Sequence, residues 1–91
     1  MRTLERIKEF LCDNGFEDAI VFENPEFCKA FLGVSDDGRA VYDYAKMIES
    51  LMEEEDLSEE ESIDFVNYNT IRAIPYMGEK APIILYPFRE D

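Results

Sequence analysis

Histidine is absent from the 91 residues, and with it go the commonest general base at neutral pH and the commonest zinc ligand. The two cysteines, Cys12 and Cys28, are too few and too far apart for a structural zinc site. Their apolar contexts, one on an expected helix and one on an expected strand, suit free buried thiols rather than a disulfide. Four glycines leave little room for a glycine-rich phosphate loop, and no such motif is written. No segment approaches the roughly 18–20 apolar residues of a membrane span. The amino terminus, Met1-Arg2-Thr3-Leu4-Glu5-Arg6, has no apolar run long enough for a signal peptide, so the expectation is a cytoplasmic protein.

Positive charge is scarce as well. Nine Lys and Arg face 22 Asp and Glu, for a formal net charge of -13. Nucleic-acid backbones and anionic membranes both require a cation excess at the interface, so direct binding to either is disfavoured. A basic protein surface is the partner this composition favours, because opposite charge speeds encounter at low salt.

What is present is a globular level of apolar residues, 46% hydrophobic and 13% aromatic, enough for one folded domain with one core over residues 1–91. Thr3 caps an expected helix over about 4–14, with Leu4, Ile7 and Leu11 on one face and Gly15 as its stop. Ala19-Ile20-Val21-Phe22, followed by Asn24-Pro25, reads as a short buried strand and a turn. Cys28 to Val34 alternates as a second strand. Asp36-Asp37-Gly38 is a hairpin signal, since Gly accepts positive φ, and Arg39 to Tyr42 returns antiparallel.

Asp43 caps a helix in which Tyr44, Met47, Ile48, Leu51 and Met52 make an apolar stripe. Ser58 with Glu61 three residues later is a capping box that starts another helix, carrying Ile63, Phe65, Val66 and Ile71 inward. Pro75 and Gly78 end regular structure, and Ile83-Ile84-Leu85-Tyr86 makes a last strand that stops at Pro87. The expected fold is α+β: a small, mainly antiparallel sheet of three or four strands packed by three helices, in the order α-β-β-β-α-α-β.

One block stands out. Glu49, Glu53, Glu54, Glu55, Asp56, Glu59, Glu60, Glu61 and Asp64 fall within sixteen residues that hold no basic side chain. Glu59 to Glu61 suit a first helical turn, but Glu53 to Asp56 crowd a helix carboxyl end, where each acid costs roughly 0.3–1 kcal/mol at low salt. The block reads as a solvated face that keeps the domain soluble or, because stability given up locally points to function, as the first candidate partner-binding face. Were the two helices continuous, sixteen residues would span about 24 Å, one charge per roughly 2.7 Å, near the ~3.4 Å phosphate spacing of a DNA strand. A nucleic-acid mimic that inhibits a DNA- or RNA-binding protein is therefore the alternative to a non-enzymatic interaction module.

A carboxylate-based enzyme is a third reading, which the crowding of the acids on a helical face does not favour. Ser35-Asp36-Asp37-Gly38 fails as a calcium loop, because Gly33 and Tyr44 would occupy the first and last ligand positions. Neither a metal nor a cofactor is expected. The second candidate face is Tyr68, Arg72 and Tyr76, residue types enriched at binding hot spots, in a stretch where Asn67, Asn69 and Thr70 are poor helix formers. The same stretch reads structurally as side chains that satisfy a helix end, with Arg72 paired to a carboxylate.

The chain from Asp37 to Tyr86 resembles short acidic proteins without assigned activity, associated with bacterial genomes and their mobile elements. The likeness is carried by Asp37-Gly38-Arg39-Ala40-Val41-Tyr42-Asp43-Tyr44, Asn69-Thr70-Ile71-Arg72-Ala73 and Glu79-Lys80-Ala81-Pro82-Ile83. It covers about half of the chain and implies no catalytic or binding residues.

Overall fold

The computed structural model describes residues 3–88. Met1 and Arg2, on which part of the leader argument rests, lie outside them. The first helix, α1, runs Leu4–Asp13, and the Thr3 hydroxyl accepts a hydrogen bond from the Arg6 N–H at 3.2 Å. Gly15, at φ 81°, takes the left-handed position that closes the helix, and the Phe16 N–H reaches the Leu11 carbonyl at 2.7 Å. Ile7 and Leu11 are buried. Cys12, expected buried, is exposed: it lies four residues after Lys8, on the same solvent-facing side. Cys28 is buried as expected, and both thiols are free.

One expected strand is not formed, and the one expected over Cys28 to Val34 is formed only from Phe31 onward. Residues 19–24 cross the core with no ladder: the Ile20 N–H donates to the Lys80 carbonyl at 3.1 Å, and the Phe22 N–H donates to the Tyr42 hydroxyl at 3.2 Å. The backbone is thus satisfied by a loop carbonyl and a side chain instead of a neighbouring strand. Pro25–Ala30 is a 3-10 helix with Pro25 at its start, and it buries Phe27, Cys28 and Ala30. Phe27 and Ala30 share a face at the three-residue repeat, while Cys28 and Ala30 also satisfy a two-residue alternation. Over so few residues the two periods overlap, and Pro25 decides for the turn.

The sheet holds β1 (Phe31–Val34), β2 (Ala40–Asp43) and β3 (Ile83–Leu85), in the order β1-β2-β3. β1 and β2 form the expected antiparallel hairpin, with an irregularity between Phe31 and Gly33. Gly38 turns it at φ 79°, and a Cβ there would stand 3.0 Å from the Lys80 Nζ. β3 pairs parallel to β2, so the sheet is mixed rather than mainly antiparallel. Parallel pairing requires a long crossover, and the helices between Tyr44 and Tyr76 supply it. The hairpin and the approach to β3 are pinned together: Arg39 Nε donates to the Ala81 carbonyl and Lys80 Nζ to the Asp37 carbonyl, both at 2.7 Å.

The crossover begins with α2, Tyr44–Glu54, where the Asp43 carboxylate accepts from the Lys46 N–H at 3.1 Å. α2 packs mainly on the Pro25–Ala30 turn and buries Met47, Ile48 and Leu51. α3, Glu59–Phe65, starts at the expected capping box: the Glu61 N–H donates to Ser58 Oγ at 3.1 Å, and the Ser58 N–H to Glu61 Oε1 at 2.9 Å. α3 widens into a π-helical turn, Val66–Thr70, and then tightens to a 3-10 helix, Ile71–Tyr76. Pro75, whose ring clashes with the carbonyl four residues earlier, prevents an α-helical continuation. The architecture is α+β, helices over a small three-stranded sheet among the described residues, as the sequence led one to expect.

One hydrophobic core joins these elements, and Tyr42 lies at its middle, 1% exposed on the central strand. Its ring centroid stands 4.7 Å from that of Phe22 and 5.7 Å from that of Phe31, and Phe22 continues edge-on to Phe27 at 5.9 Å. Burial pushes the Tyr42 phenol up from 10.0 to about 12, against the lowering effect of the Phe22 N–H. A folded-state pKa above the unfolded value means that the proton favours the native state. That contribution is complete below pH 10.0 and is lost as pH rises toward about 12.

In an absorbance titration the Tyr42 phenol should therefore ionise last, and Tyr42→Phe should remove that last step. The same variant strands a buried N–H at Phe22 and should lower stability by roughly 1–3 kcal/mol in denaturant unfolding. Five tyrosines ionising together in the native protein would contradict the assignment.

Candidate functional site

The chain leaves α2 at Glu55, whose N–H still reaches the Leu51 carbonyl at 2.9 Å, and reverses at Asp56, whose φ is +55°. Left-handed backbone at a helix C-terminus is ordinarily given to Gly; Asp tolerates it with some strain. After Leu57 and Ser58 the chain enters α3, which runs back along α2. The direction follows from both ends: the Tyr44 hydroxyl, at the start of α2, donates to Asn67 Oδ1 beyond the end of α3 at 3.2 Å, while Met52 and Glu59 line the same depression near the reversal.

This antiparallel pairing decides the shape of the acidic block. Glu53, Glu54, Glu55, Asp56, Glu59, Glu60 and Glu61 gather about one end of the helix pair, with Glu49 and Asp64 a turn away on α2 and α3. All nine side chains are exposed. The straight run of charge at phosphate-like spacing, which needed continuous helices, is not made.

Some of the nine carboxylates serve the fold. Glu61 completes the capping box, and the Ser58 backbone N–H holds its carboxyl below the usual carboxylate range. Glu49 lies 3.8 Å from the Lys46 ammonium. Lys29, delivered by the Pro25–Ala30 turn, lies 3.9 Å from Glu53 and 3.8 Å from Glu54, so a cation answers two of the charges that crowd the carboxyl end of α2. Sequence spacing gives no sign of it, because Lys29 arrives from another element. These pairs are exposed and contribute roughly 0–1 kcal/mol each. Glu55, Asp56, Glu59, Glu60 and Asp64 have no ion-pair partner among the described residues.

The second candidate face is partly assembled. Arg72 lies over the Tyr68 ring, 5.8 Å from its centroid, and makes no ion pair among the described residues, so the expected carboxylate partner is replaced by a cation–π contact. Tyr76 stands out 89% exposed, with no ring partner among the described residues. Asn67 serves the tie to Tyr44 and Thr70 is buried, which gives a structural reason for these polar residues on the helical segment. Tyr68 is exposed beside a shallow depression lined by Leu57, Phe65, Glu61 and Asp64, so the aromatic face abuts the acidic one.

Among the described residues, no group of three or more Cys, Asp or Glu is arranged to hold a metal ion, and no helix is long and apolar enough to cross a membrane. Burial, reinforced by Glu26 and Glu54, raises the Cys28 thiol and disfavours a reactive thiolate there. What the described residues bring together is clustered negative charge with aromatic and apolar side chains next to it. No protein-family model, no curated protein and no solved structure matches this chain.

Asp56→Gly relieves the left-handed strain and removes one charge from the carboxyl end of α2. Stability at low salt should rise by roughly 0.5–1 kcal/mol in denaturant unfolding. A loss of stability would show that the Asp56 side chain supports the reversal.

Proposed function

We propose that the protein is a non-enzymatic interaction module of the cytoplasm that presents the acidic end of the α2–α3 pair to a basic surface of a partner protein. The observation that carries the reading is the set Glu55, Asp56, Glu59, Glu60 and Asp64, exposed together and answered by no cation among the described residues. A fold that needed acids only for solubility would do as well with both signs interspersed, whereas one sign on one end raises the local potential that steers an oppositely charged partner. Tyr68, with Arg72 on its ring, offers an amphipathic anchor at the border of that charge. Two free thiols fit a reducing compartment.

Capture from lysate on the immobilised protein tests the reading. A basic protein should be retained at low salt, released by added salt, and lost from a column carrying the Glu55→Gln, Asp56→Asn, Glu60→Gln variant, with the loss seen mainly in the association rate. Equal retention by the variant would remove the acidic end from the interaction. Displacement of the partner by excess duplex DNA would move the reading to mimicry of nucleic acid.

A further inference from the structure

The reversal at Asp56 that brings α3 back along α2 also leaves a furrow between the two helices. Ile48 and Met52 of α2 and Ile63 of α3 form its apolar lining, with the small Ala45 one turn nearer the start of α2. Glu49 stands on the α2 side and Glu59 on the α3 side. Met52 belongs to the stripe that buries Met47, Ile48 and Leu51, yet it is 37% exposed, so the apolar face of α2 extends past the core into solvent. At the far end Tyr44 packs against Tyr86 at a tilt of 36°, their centroids 4.6 Å apart.

We infer that this furrow receives a basic amphipathic helix of a partner protein, an inference that rests on the proposed function and names the segment it would bind. The form of the occupant follows from the walls. Both are helices whose backbone groups are already bonded within themselves, so they offer no ladder to an extended peptide, whereas a helix brings its own bonds satisfied. The chemistry follows from the lining: an apolar stripe to cover Met52 and the partly exposed Ile63 over the buried Ile48, flanked by Lys or Arg to meet Glu49 and Glu59. The length follows from α2, whose 11 residues span about 16 Å, enough for three turns of a docked helix. Met suits such a surface, because its unbranched side chain repacks against different partners. A second copy of this chain is a poor occupant, since it would set another charge of -13 against the same acids.

The probe is a synthetic peptide of Leu and Lys, about 14 residues long, with its Leu at helical spacing, compared by calorimetry with the same residues in scrambled order. The patterned peptide should bind at least about tenfold more tightly and gain helical circular dichroism, which is the discrimination expected from burying one or two large apolar side chains. Met52→Gln, which is exposed and keeps size and charge, and Ala45→Gln, which fills the furrow, should each erase that preference and leave the scrambled peptide's affinity unchanged. Equal binding of the two peptides would overturn the inference and leave the acidic-face reading standing. Binding of neither would overturn both. A dimer of the protein alone, broken by Met52→Gln, would assign the furrow to a second copy and overturn the inference as well.

Discussion

The ring and hydroxyl of Tyr42 are what the rest of the fold is arranged around. It sits on the central strand, so β1 and β3 are both built outward from its backbone. Its ring collects Phe22 and Phe31, and through Phe22 reaches Phe27. Its hydroxyl takes the Phe22 N–H, which lets residues 19–24 cross the core without a strand partner. A Phe at the same position would keep the packing and leave that segment with an unanswered donor. One polar atom inside an otherwise aromatic cluster thus fixes how the segment between α1 and the Pro25–Ala30 turn lies on the sheet.

With the core secured in this way, the excess negative charge must lie outside it, and the α2–α3 reversal decides where. An Asp in left-handed backbone, three acids on the last turn and cap of α2, and three on the first turn of α3 make one end of the helix pair strongly acidic. The α3 acids are favoured by the helix dipole and one of them caps; those of α2 are opposed by it and are relieved in part by Lys29. The balance is a local electrostatic strain that an approaching cation would lower. Beside it, the stripe of α2 runs past the core to Met52. Charge and apolar surface on one helix pair are the two features on which the proposed interaction rests.

Elements marked by local chemistry were legible in the sequence: the Thr3 cap and Gly15 stop of α1, the Asp-Gly hairpin, the Asp43 cap, and the Ser58–Glu61 box. So was the apolar face of α2, because its stripe is long enough to fix a period. What stayed hidden depended on partners distant in sequence. Ala19 to Phe22 has strand composition, but its donors are taken by Tyr42 and Lys80, which no local rule foresees. Cys28 to Ala30 fits a two-residue and a three-residue repeat equally. Cys12 follows the apolar Leu11 yet shares the face of Lys8. The nine acids were legible as a block, while their gathering at one end required the reversal at Asp56. Tyr68 and Arg72 were legible as candidates, and their contact with each other was not. The furrow could not be read at all, because Met52 is indistinguishable in sequence from the core residues of its own stripe.

The central claim, that one-sided charge on this fold is a strain awaiting a cation, is tested most directly by the salt dependence of unfolding. Between about 10 mM and 300 mM sodium chloride the screening length falls from roughly 30 Å to about 6 Å, which removes repulsion across the acidic end while weakening the exposed Lys29 and Lys46 pairs much less in total. The unfolding free energy of the unmodified protein should rise steadily over that range. A free energy that stays level, or falls, would mean that the ion pairs balance the repulsion, and the acidic end would then be a solvated surface with no strain for a partner to relieve.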